Sequence, residues 1–83
     1  MLTYLGQTAD SISVEYTDMP AGAEIIFVNK TSGAKTPAQG SSLGAGNGTA
    51  AIAIPSLSAG DYYLLAQSSG GQYIAQTVPF YVN

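Results

Sequence analysis

Cysteine, histidine and tryptophan are all missing from the 83 residues, and charge is scarce. Without cysteine there is neither a disulfide nor a thiolate metal site. Without histidine the usual triads, proton shuttles and imidazole metal ligands go as well, and with them most hydrolase and metalloenzyme mechanisms. Charged residues make up 8% of the chain, against about a quarter in an ordinary soluble domain. Arginine is absent, and Lys30 and Lys35 are too few to neutralise a row of phosphates, so nucleic acid is excluded as a partner. The longest apolar stretches are four or five residues, too short for a membrane span. Met1 to Gln7 holds no basic residue and no apolar run of signal-peptide length, so a chain made in the cytosol and staying soluble is expected.

What is present is neutral polarity and dispersed apolar bulk. Serine, threonine, glutamine and asparagine supply the polar surface; 18 Leu, Ile, Val and Phe residues and 6 Tyr supply a core. A net charge of −3 with that apolar content argues for folding rather than disorder. The length allows a single domain over residues 1–83, with no linker and no internal repeat.

Short apolar runs alternate with Gly, Ser, Pro and Asn, and no segment keeps a helical period between caps. The pattern predicts strands at Leu2–Leu5 (extending toward Gln7), Ile12–Thr17, Ala23–Asn29, Thr49–Ile54, Asp61–Gln67 and Gln72–Val82. A weak edge strand containing Pro37 is expected around Lys35–Gln39. Ile12, Val14 and Tyr16 alternate with Ser13, Glu15 and Thr17, the pattern of a half-buried strand. Ile25-Ile26-Phe27-Val28 is apolar on both faces and belongs in a central or doubly covered strand. Gly40 to Gly48 reads as a flexible loop closed by an Asn47-Gly48 turn. In the last strand Ile74, Val78, Phe80 and Val82 are expected on one face, with Pro79 at a bulge or edge. Such spacing describes an all-β sandwich of about seven antiparallel strands. The expected core is Leu2, Ile12, Val14, Tyr16, Ile25, Phe27, Ile52, Ile54, Leu64, Val78 and Phe80.

The stretch Leu57-Ser58-Ala59-Gly60-Asp61-Tyr62-Tyr63-Leu64-Leu65-Ala66 resembles the turn into the penultimate strand of immunoglobulin-like and fibronectin type III-like domains. There a tyrosine closes the corner by bonding back to the chain. In one register Leu57, Gly60 and Tyr63 match; in the other, common in bacterial and viral immunoglobulin-like domains, Gly60 and Tyr62 match. The second is preferred because it turns Tyr62, Leu64 and Ala66 inward. Tyr73 to Val82 is similar to the last strand of such a domain. The core tryptophan and inter-sheet disulfide of antibody domains are both missing, so the resemblance is to a minimal module.

The acids Asp10, Glu15, Asp18, Glu24 and Asp61 show no Asp-x-Asp spacing and read as solvated charges rather than a calcium site. Glu15 and Glu24 are expected to pair across strands with Lys30 or Lys35. Asn29-Lys30-Thr31 and Asn47-Gly48-Thr49 match the glycosylation pattern, for which chance is the better account. No base stands ready to activate a serine or threonine, the Gly40 to Gly48 stretch lacks the lysine of a phosphate loop, and no cofactor or metal is implied. The exposed aromatic candidates are Tyr63, Tyr73 and Tyr81, suited to a protein contact or to sugar stacking; ordinary cross-strand packing is the plain alternative. Small bacteriophage virion proteins, such as capsid decoration modules, carry this kind of fold. The resemblance therefore implies a non-enzymatic structural protein on the virion, assembled in the host cytoplasm, with other structural subunits as partners. The alternative is a bacterial surface adhesin or carbohydrate-binding module from a larger secreted protein. That module would act at the cell surface with glycans as ligands.

Overall fold

A computed structural model describes the backbone of residues 1–83 and the side chains of all but residues 39–42. The strands are β1 (Leu2–Gln7), β2 (Ser11–Met19), β3 (Ala23–Asn29), β4 (Lys35–Leu43), β5 (Gly46–Ala53), β6 (Gly60–Gln67), β7 (Tyr73–Gln76) and β8 (Phe80–Val82). All pairings are antiparallel. One sheet has the order β1-β2-β5; the other runs β4-β3-β6-β7, with β8 also on β6. The inner faces of both sheets feed one core, the layering of a β-sandwich.

Alternation explains which side chains enter that core. Ile12, Val14 and Ile52 from the first sheet meet Ile25, Phe27 and Leu64 from the second, all essentially inaccessible to water. Each contributes roughly 1.5–3 kcal/mol by burial. Phe80 ties the layers together. It stacks on Tyr4 at 5.3 Å between ring centroids and meets Phe27 edge-on at 6.4 Å. The central pair β3–β6 keeps one register from Glu24↔Gln67 to Asn29↔Tyr62. β3 is therefore flanked on both sides, as its continuous apolar run requires.

Several expectations need correction. Residues 40–48 are not a flexible loop: β4 runs to Leu43 and β5 starts at Gly46, so Asn47-Gly48 lies within a strand. Gly48 sits opposite Tyr16, whose ring lies over it; a Cβ there would fall 2.7 Å from the tyrosine oxygen. The glycine serves a close approach, not a turn. Asn47 instead accepts a hydrogen bond from the Asp18 backbone N–H, 2.9 Å, at an irregularity between Tyr16 and Met19. Asp18 takes φ 53° there, and the kink turns Met19 into the core.

The last expected strand is broken in two. Its register against β6 slips between Tyr73 and Ala75 and again between Gln76 and Phe80. At the second break Val78 points to solvent, 66% exposed, and Thr77 takes the inward place. The Thr77 N–H donates to the Leu64 carbonyl at 2.9 Å, while its Oγ1 accepts from the Leu64 N–H at 3.0 Å. The hydroxyl thus replaces the backbone carbonyl that the bulge has turned away. Tyr16 and Ile54 pack on the core only partly buried, whereas Met19, Leu43, Tyr62, Ala66 and Val82 join it.

Candidate protein-contact face

The outer face of the five-stranded sheet carries an apolar cluster separate from the core. Ile26 and Val28 of β3 and Leu65 of β6 are buried there, and Tyr63 packs against them. Cross-strand partners share a face, so the register extends this surface in rows. Lys35, Val28 and Tyr63 form one row; Pro37, Ile26, Leu65 and Gln76 form the next. Glu24, Gln67 and Tyr73 lie beyond the second, and Asp61 with Tyr81 beyond the first.

All three candidate tyrosines therefore lie on one face. Tyr63 is half-buried beside the cluster, while Tyr73 and Tyr81 are well exposed at the two ends of the β7–β8 edge. Tyr63 and Tyr81 are diagonal neighbours, because Tyr81 opposes Asp61 and Asp61 shares its face with Tyr63. Lys35, Glu24 and Asp61 stand at the margin, leaving the middle uncharged. The aliphatic floor of Ile26, Val28 and Leu65 was missed as part of the candidate face. Its signal was present in the doubly apolar run Ile25–Val28 and in the Leu64-Leu65 pair, whose members must face opposite ways.

Of the two tyrosines after Gly60, Tyr62 turns inward. The Tyr62 hydroxyl donates to the Ser58 carbonyl at 2.8 Å, and its ring is buried with Leu64 and Ala66 on the inner face. Tyr63, the alternative corner residue, is on the outer face.

Other sequence candidates serve local structure. The Asn29 Oδ1 accepts from the N–H groups of Thr31 and Ser32, both at 2.9 Å, and so holds the β3–β4 turn. Among the described residues no three acidic side chains converge as a metal site would require. Neither glutamate stands opposite a lysine, as the expected strand-to-strand ion pairs would require: Glu15 opposes Thr3 and Thr49, and Glu24 opposes Ser42 and Gln67. A cleft of about 630 Å³ opens at one end of the sandwich between Gln7, Asp10, Ile54 and Leu57. Asp10 is the one acid in its lining. Among the described residues no helix is long and apolar enough to cross a membrane.

The chain matches no known family model, no curated protein and no solved structure.

Proposed function

We propose that this chain is a minimal immunoglobulin-like module of the fibronectin type III kind, and that its work is docking rather than catalysis. Two features support the fold reading. The Tyr62 hydroxyl bonds back across the corner to Ser58, as the tyrosine of such domains does. Counting β7 and β8 as one interrupted strand leaves seven, three in one sheet and four in the other. In antibody constant domains the fourth strand joins the sheet that holds the first. Here it lies beside the third, which supports the fibronectin-like reading over the antibody-like one.

The observation that carries the functional reading is the outer face of the five-stranded sheet. A buried apolar floor of Ile26, Val28 and Leu65 supports Tyr63, with Tyr73 and Tyr81 exposed on the same face and charges only at the margin. Protein interfaces are built this way, with aromatics enriched and charge depleted at the centre. The partner is the surface of a larger protein assembly, and a virion whose capsid the module decorates is the assembly the fold resemblance favours. Scarce charge suits a protein lying against other subunits, and the missing histidine and cysteine remove the imidazole base and the thiol nucleophile on which much enzymatic work relies.

The test is co-sedimentation of the purified chain with intact particles from cells that produce it, alongside Tyr73→Asp and Tyr81→Asp. The reading expects the wild type on the particle and both variants lost from it, with unchanged far-ultraviolet circular dichroism. Unaltered occupancy by the variants would remove this face from consideration. Retention of the isolated protein on polysaccharide, with no binding to particles, would favour the adhesin reading. Capsid and portal genes beside the coding sequence would favour decoration.

A further inference from the structure

Of the sandwich's four sheet edges, three are guarded against pairing with another strand. β1 carries a register irregularity between Tyr4 and Gly6, and the Gln7 side chain donates to the Tyr81 carbonyl at 2.9 Å across that edge. β4 holds Lys35 and Pro37 and shifts register between Glu24 and Ile26. The β7–β8 edge is broken at Val78-Pro79. Bulges, prolines and edge lysines are the usual means of blocking edge-to-edge association.

β5 is less protected. Between Gly46 and Ala53 there is no charge and no proline, and its register with β2 is constant from Ser11↔Ala53 to Tyr16↔Gly48, the irregularity between Tyr16 and Met19 lying beyond that stretch. Its hydrogen-bonding phase follows from one bond: the Ile54 N–H donates to the Asp10 carbonyl at 2.9 Å. Asp10 and Ile54 are therefore a closely bonded pair, and by alternation so are Ile12/Ile52 and Val14/Ala50. The mutual bonds of Met1 and Thr17, at 2.8 and 2.9 Å, give β2 the same phase from its other side. The N–H and C=O groups of Thr49, Ala51 and Ala53 consequently point away from β2, and among the described residues no hydrogen bond reaches them.

We propose that this edge pairs with the β5 edge of a second copy, antiparallel about a two-fold axis at Ala51. In that register Ala51 opposes Ala51 of the second copy, and Thr49 opposes Ala53. Each opposed pair exchanges two backbone hydrogen bonds, so every outward group of the three residues is satisfied. The outer face then reads Ser13, Ala51, Ala51, Ser13 across the joined sheets, and Glu15, Thr49, Ala53, Ser11 beside it. Self-complementarity selects this occupant: the three outward residues close on themselves about the axis, the edge carries no charge, and Glu15 faces only the uncharged Ala53 and Ser11 of the other copy. On the inner face the half-buried Ala50 opposes Ile52, a small residue against a large one. The tyrosine face lies on the other sheet and stays free, so this pairing and the docking reading fail independently.

The experiment is sedimentation velocity of the full chain over a wide concentration range, for the wild type, Ala51→Lys, Ala51→Glu and an equimolar mixture of the two variants. Position 51 is solvent-facing, so both substitutions leave the fold intact by circular dichroism. The wild type doubles in mass with concentration, each variant alone stays single through like-charge opposition at the axis, and the mixture recovers the doubled mass. Ala51→Pro adds a second check, since it removes an outward N–H without touching the bonds to β2. A wild type that remains single at every concentration would overturn the proposal, as would an Ala51→Lys chain that doubles like the wild type. Protection of the Thr49, Ala51 and Ala53 amides only on a docked particle would assign the edge to a partner's strand and equally overturn self-pairing.

Discussion

Replacing Thr77 by valine isolates one hydrogen bond in the core. The two side chains have nearly the same shape, so packing at this 3% exposed position is kept while the hydroxyl is lost. Leu64, which is wholly buried, then has no acceptor for its N–H, because the bulge at Val78-Pro79 has already carried the neighbouring carbonyl away. An orphaned buried donor costs about 1–3 kcal/mol. The methyl that replaces the hydroxyl returns at most about 0.8 kcal/mol by the burial scale. A net loss of roughly 0.2–3 kcal/mol is expected, from a total of about 4–12 kcal/mol for a domain of 83 residues. At about 4–8 °C per kcal/mol, a loss near the middle of that range lowers Tm by roughly 5–15 °C. Urea titration followed by circular dichroism gives the free energy, and amide exchange at Leu64 gives the local cause. Thr77→Ser is the companion variant: it keeps the bond and the Leu64 protection while losing a methyl. A valine variant within about 0.3 kcal/mol of wild type, with Leu64 still protected, would refute the reasoning.

Further outcomes follow from the same geometry. Tyr62→Phe, which removes the bond to the Ser58 carbonyl, lowers stability by about 1 kcal/mol in urea titration, whereas Tyr63→Phe changes it little. Gly48→Ala pushes the Tyr16 ring off the strand and costs about 1–3 kcal/mol; in a Tyr16→Ala background most of that cost disappears, which a double-mutant cycle reads directly. Asp18→Gly relieves the left-handed backbone at φ 53° and leaves the protein at least as stable, with a gain of up to about 1 kcal/mol in thermal denaturation.

The strands readable in the sequence were those whose pairing leaves one face wet. β2 alternates, β3 is apolar throughout because it is flanked and covered, and β6 shows both habits in turn. Residues 40–48 were not readable, since Gly, Ser and Ala carry no period of their own. Their strand character comes from the neighbours β3 and β2, and the fit of Tyr16 over Gly48 is a long-range contact. Val78 was placed on the wrong face because a bulge changes parity, and nothing in Gln76-Thr77-Val78-Pro79 fixes which residue is the extra one. Tyr73 and Tyr81 nevertheless share a face, as simple alternation implies. The strand slips by one residue near Ile74 and by one more before Phe80, and the two slips together restore the parity. The aliphatic floor beneath the tyrosines was half-visible, since a run apolar on both sides says that a second surface exists without saying what shares it.

The most direct measurement is a density map of the native assembly with the chain bound. The account predicts that Tyr63, Tyr73 and Tyr81 lie against a neighbouring protein, with the β3–β4 turn and its Asn29 cap at the rim of the contact. A map in which those tyrosines face bulk solvent while another surface of the sandwich is held would contradict it.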